Sequence, residues 1–113
     1  NIEYFGNQNN LVINIYDASI SKKEIDNKEA KKFEEKKILQ YEVLFLVDFE
    51  LYDDSGYLIA NTSVETLRST TSKKFISLNE IESIISELLN KAIKDFVNET
   101  KLMMDLYMSE YVN

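Results

Sequence analysis

From Leu39 to Leu51 every odd-numbered residue is apolar (Leu39, Tyr41, Val43, Phe45, Val47, Phe49, Leu51), while the even positions carry Gln40, Glu42, Asp48 and Glu50. Side chains on a strand alternate between two faces, so this period of two predicts a strand of thirteen residues with one face buried. At roughly 3.3 Å per residue it spans about 43 Å, more than twice the usual strand length. The strand runs into Asp53-Asp54-Ser55-Gly56, the composition of a short hairpin loop in which Gly56 takes a positive φ. Tyr57 to Thr71 then reads as the return strand, whose even positions Leu58, Ala60, Thr62, Val64 and Thr66 give the large apolar side chains of its partner a surface to pack beside.

A shorter alternation, Leu11, Ile13 and Ile15 on one face, predicts another strand over residues 11–20. Past Phe75 and Ile76 the period changes. Ile81, Ile84, Ile85, Leu88, Leu89, Ala92, Ile93, Phe96 and Val97 recur every three or four residues, which predicts a helix with one broad apolar stripe. Ser77 and Glu80 stand where a capping box opens such a helix. No Gly or Pro interrupts it through Val112, so a helix over 78–112 would be about 52 Å long and match the hairpin. The expected fold class is α+β: an antiparallel sheet of three to four strands, the long hairpin 39–71 plus strand 11–20, backed by a long C-terminal helix 78–112. Residues 1–113 make a single domain, with 1–10 an N-terminal arm and 22–37 a charged loop.

Composition narrows the chemistry. An apolar fraction of 44% excludes a disordered chain. There is no Cys, His or Pro, so disulfides, a thiolate nucleophile, a neutral-pH imidazole base and the usual zinc ligands are all missing. Asp53 and Asp54 belong to a glycine turn, and Asp17, Asp48 and Glu50 fall on strand faces turned to solvent, so the reading is of a non-enzymatic chain without a cofactor or metal. Two Asn-X-Ser/Thr triplets, at Asn61 and Asn98, are chance matches in an Asn-rich chain. No stretch of 18 apolar residues or signal peptide is present, and the start at Asn1 suggests a processed or truncated form, which leaves room for either a signal sequence or a lipid anchor upstream. A net charge of −7 argues against nucleic acid. The segment Lys22 to Lys37, with seven Lys against five acids, is either a solvated loop or extended hairpin, or a basic finger for an anionic ligand. The last stretch, Leu102 to Met108, is apolar nearly all round; it either packs in the core against the N-terminal arm or contacts another chain or a lipidic ligand.

The block from Tyr41 to Gly56 resembles the long strand of the LPS-assembly lipoprotein family, which plugs the outer-membrane LPS translocon and whose long strand ends in a similar Asp-X-X-Gly turn. Val64-Glu65-Thr66-Leu67-Arg68-Ser69 is similar to that family's return strand, and Leu78-Asn79-Glu80-Ile81-Glu82 opens a helix like its acidic final helix, so the resemblance covers roughly 70 residues. The family's first strand and helix have no counterpart in the ten residues before Leu11. The resemblance implies a periplasm-facing lipoprotein at the inner leaflet of the outer membrane, anchored through a Cys upstream of Asn1, with a β-barrel as partner and LPS as a ligand. It carries over Arg68, with Lys73 and Lys74 beside it, as the basic contacts to LPS. The partner interface is expected on Leu44 and Leu46, on the even face of the long strand, and on Met103, Met104, Tyr107 and Met108 at the helix end. The auxiliary lipoproteins of ABC-type lipid transport systems share the pattern of a strand pair and a long helix. An oligomerising assembly module unrelated to lipid is the remaining alternative.

Overall fold

A computed structural model describes residues 2–6, 9–31 and 36–110, the first of these segments in its backbone alone. The chain runs through β1 (Ile2–Gly6), β2 (Asn9–Asp26), β3 (Lys37–Tyr52), β4 (Leu58–Lys73) and α1 (Leu78–Tyr107). The strands form one antiparallel meander in the order β1-β2-β3-β4, with α1 laid along one face, an α+β architecture. The described residues extend 66 × 25 × 19 Å, a rod whose long axis follows the hairpins.

β3 is the centre. Its odd positions Tyr41, Val43, Val47, Phe49 and Leu51 are buried, each at most 5% exposed. Across the β3–β4 ladder they stand opposite the even positions of β4: Tyr41 faces Thr70, Phe45 faces Thr66, Val47 faces Val64, Phe49 faces Thr62 and Leu51 faces Ala60. Residues directly opposite share a face, so the two alternations close into one apolar surface. α1 covers it with Leu88 and Ala92, beside Tyr41 and Val43, and with Phe96, Met103, Met104 and the following Met108 around Val47, Phe49 and Leu51. Phe45 and Phe96 touch with ring centroids 5.1 Å apart. The buried Tyr41 phenol keeps a polar partner, since Ser72 Oγ donates to it at 3.2 Å.

Several elements run further than the sequence pattern predicts. The N-terminal arm is partly a strand: Ile2–Gly6 pairs with Asn9–Ile13. The strand read as 11–20 extends to Asp26, so the charged segment 22–37 is largely the end of a hairpin, Lys22–Asp26 in β2 and Lys37 in β3. Charged side chains sit well there because both faces of that tip see water, with Lys23 beside Glu42 at 3.4 Å and Lys74 beside Glu24 at 3.1 Å. Residues 32–35 of this segment lie outside the described residues.

The ladder is interrupted at two places by one extra residue. Ile15 faces Val47 but Asp17 faces Leu46, which leaves Tyr16 as a bulge in β2. Leu51 faces Ala60 but Tyr52 faces Leu58, which leaves Ile59 as a bulge in β4. A bulge reverses the inside–outside phase of everything beyond it. Leu58, expected on the core face, is therefore on the opposite face and 49% exposed, while Ile59 packs against the core. Beyond Tyr16 the even positions Ala18 and Ile20 of β2 take the helix-side face.

The turn at Asp53–Tyr57 is held by its own first residue. Asp53 Oδ1 accepts from the backbone N–H of Ser55 and of Tyr57, each at 2.9 Å. Gly56 adopts φ +88°, as expected from the sequence. At the helix start Ser77 Oγ accepts from Glu80 N at 3.2 Å and donates to the Glu80 carboxylate. α1 ends at Tyr107, short of the expected 112, because Met108 leaves helical geometry (φ −128°) and turns its side chain into the core. Its N–H still donates to Met104 O at 2.9 Å, and Ser109 Oγ donates to the Asp105 carbonyl at 2.8 Å. Tyr111 and Val112 lie outside the described residues.

Substituting Gly56→Ala introduces a Cβ that meets nothing within 4 Å, so the expected loss of about 1–2 kcal/mol is conformational alone. Chemical denaturation checks it. In the core, the Thr66 hydroxyl is buried without a hydrogen-bond partner among the described residues. Thr66→Val keeps the shape and removes that group, and the same measurement should show stabilisation of about 1 kcal/mol.

Candidate functional site

The three basic residues carried over from the family resemblance do not converge. Arg68 faces Val43 in the ladder and so lies on the helix side of β4. Lys73, with the opposite phase, lies on the far face opposite Ile38. Lys74 follows the strand end and reaches Glu24 of β2, with its Nζ 5.6 Å from the Phe75 ring centroid.

Arg68 is held by α1. Its Nε lies 2.9 Å from Asp95 Oδ2 and its Nη2 3.3 Å from Oδ1, a two-pronged pairing that ties β4 to the helix. Beside it a cleft of about 140 Å³ opens between β4 and α1, lined by Arg68, Ser69, Thr70, Ile84, Glu87, Leu88 and Lys91. Lys91, a second cation that sequence reasoning did not place near Arg68, is itself paired with Glu87 at 3.2 Å. Two cations with two acids leave the cleft close to neutral, and its volume corresponds to a few water molecules at about 30 Å³ each. An anion bound here would have to compete with Asp95 for the guanidinium. The Glu87–Lys91 spacing of i,i+4 was legible as a helical ion pair. Its position across from Arg68 depends on how the helix is rotated against the sheet, which no local pattern encodes.

The docking candidates divide in the same way. Leu44 and Leu46 lie half-buried on the sheet face away from α1, where Leu44 stands directly opposite Leu67, itself 60% exposed. Polar neighbours frame this small apolar patch, with Ser19 and Asp17 of β2 opposite Leu44 and Leu46 on one side and Glu65 of β4 on the other. At the helix end Met108 is 1% exposed and belongs to the core, so it does not present the docking surface expected of it. Met103 and Met104 pack half-buried against the same core cluster, and Tyr107 is exposed.

Further along the far face is a polar network. Asn14 Nδ2 donates to Glu50 Oε1, Tyr52 OH donates to Glu50 Oε2 at 2.9 Å, and Ser63 Oγ donates to Asp48. The negative charge of Asp48 raises the pKa of the neighbouring Tyr16 phenol above its usual range, with desolvation and a hydrogen bond to Asp48 acting in the same direction. The hydrogen bond to Glu50 does the same for Tyr52. Both phenols therefore stay neutral hydrogen-bonding groups on a surface that also carries two carboxylates. Among the described residues no three acidic side chains form a metal-ligating group, and no helix is long and apolar enough to cross a membrane.

Compared with protein-family models, with curated proteins and with solved structures, the chain matches none.

The Arg68–Asp95 pair is more than a third exposed on both sides, at 44% and 38%, so water screens it. A double-mutant cycle with Arg68→Ala and Asp95→Ala should give a coupling of about 0.2–1 kcal/mol in thermal or denaturant unfolding. The coupling should shrink further as salt is raised.

Proposed function

We propose that this chain is a non-enzymatic, periplasm-facing domain of the bacterial envelope, resembling the LPS-assembly lipoprotein, which docks on an outer-membrane β-barrel in LPS transport. The supporting observation is the one-sided layering: a long antiparallel meander carries its only described helix on one face. The other face carries a leucine patch at Leu44, Leu46 and Leu67 within a polar surround. Partly exposed leucines grouped inside a polar rim suit a protein partner. The order of parts is that of the resemblance: long strand, Gly turn, return strand bearing Arg68, acidic helix. In this reading the barrel meets the leucine patch, and LPS phosphates exchange with Asp95 for Arg68 at the opposite face. Lys91 is the second cation of that cleft.

The immobilised domain should retain the purified LPS-translocon barrel of the same genome. Retention should fall at least about tenfold for the Leu44→Thr/Leu67→Thr variant, with unfolding little changed, because threonine suits a strand and each leucine is partly solvent-exposed in the free domain. Barrel that does not bind the wild-type domain, or that binds the variant equally, rules the reading out. LPS binding that is the same with and without Arg68→Ala removes Arg68 from it.

A further inference from the structure

We infer that a second copy of this chain pairs with the open edge of β2, antiparallel and over Asp17–Lys23, with Ile20 on the two-fold axis. β1 covers β2 only as far as Ile13, so among the described residues no strand pairs with the other edge of Asn14–Asp26. Such an edge presents a row of free backbone donors and acceptors that another strand can satisfy.

The sheet's other open edge, β4, is closed to the same use by sterics. α1 lies chiefly over β4 and is tied to it through Arg68 and Asp95. Because α1 lies over β4 and part of β3, a second β4 paired at about 4.8 Å would set two copies of α1 about 5–10 Å apart, at or below the spacing that packed helices need. α1 does not lie over β2. Two β2 strands can therefore pair with their helices well apart.

The register follows from phase and charge. The Tyr16 bulge leaves Asp17, Ser19, Ser21 and Lys23 on the far face and Ala18, Ile20 and Lys22 on the helix side. A two-fold axis normal to the sheet keeps faces matched, so opposed residues must share a phase. Centred on Ile20, the pairing sets Ile20 against Ile20, Ala18 against Lys22, Ser19 against Ser21, and Asp17 against Lys23 twice, once on each side of the axis. Centred on Ser19 or Ser21, both Asp17–Lys23 pairs are lost, and centred on Lys22 the axis places like charges together. Ile20, 46% exposed in the single chain, gains an apolar cross-strand neighbour. Lys23 leans toward Glu42 of β3 at 3.4 Å in the single chain, so in the pair its ammonium is shared between Glu42 and the Asp17 of the second copy. The interface is short and the two-fold closes it, which sets a weak dimer as the end point.

Sedimentation of the purified chain over a range of concentrations, without barrel or LPS, tests this independently of the proposed function. A concentration-dependent monomer–dimer equilibrium is expected. Asp17→Lys or Lys23→Asp alone places two like-charge pairs across the axis and should raise the dimer Kd about tenfold or more. The Asp17→Lys/Lys23→Asp double variant should return it to within about threefold of wild type, with circular dichroism confirming that all three variants are folded. A chain that stays monomeric at every concentration overturns the inference. Single variants without effect, a double variant that stays dissociated, or assembly past the dimer would each overturn it too.

Discussion

Everything in this fold hangs on the odd-numbered face of β3. Tyr41, Val43, Val47, Phe49 and Leu51 are the buried side chains of the strand that has β2 on one edge, β4 on the other and α1 above. Removing apolar area from water is the dominant favourable term in folding, and here it is organised by a single strand. β4 contributes mainly small or β-branched residues beside it, β2 adds Leu11 and Ile13, and α1 contributes the lid. Long-range pairing between strands is expensive in chain entropy, but the meander joins each strand to the next, so each closure is a hairpin.

Much of this was legible because the determining patterns are local. The alternation in β3, the Gly56 turn and the Ser77–Glu80 cap are each set by residues within a few positions of one another, and each forms where the sequence places it. The extensions were harder to see. Asn9–Asn10 and Lys22–Asp26 are polar or charged, and they become strand through pairing with β1 and β3 rather than through any apolar alternation. The bulges at Tyr16 and Ile59 could not be read at all, since a bulge is a mismatch between two strands and neither strand records it alone. The helix end was overestimated for a related reason: Met108 has good helix propensity, yet it leaves helical geometry and is buried in the core cluster of Val47, Phe49, Leu51 and Val64.

The candidate site shows the same division between local and non-local information. Arg68 came from the family resemblance, and its neighbour on α1, Asp95, is 27 residues away. Lys73 is one strand position out of phase with Arg68, and Lys74 belongs to the hairpin tip through Glu24. Proximity in sequence therefore grouped three cations that the pleat separates, whereas the fold brings in Lys91 with a counter-ion of its own. What the described surface offers in quantity is strand edge and small apolar patches, the features by which one protein recognises another.

The Tyr16 bulge also makes β2 a strand with two reading frames. Before it, odd residues such as Ile13 face the helix layer; after it, even residues such as Ile20 do. Losing Tyr16 itself would close the ladder, with Ile15 opposite Val47 followed at once by Asp17 opposite Leu46, and would leave Asp17, Ser19 and Lys23 on the far face and Ile20 on the helix side. Losing a residue from Asp17 onward would instead put everything beyond it in the opposite phase. Tyr16 is thus the one position in this stretch where a related chain can be shorter by a residue and keep the same faces.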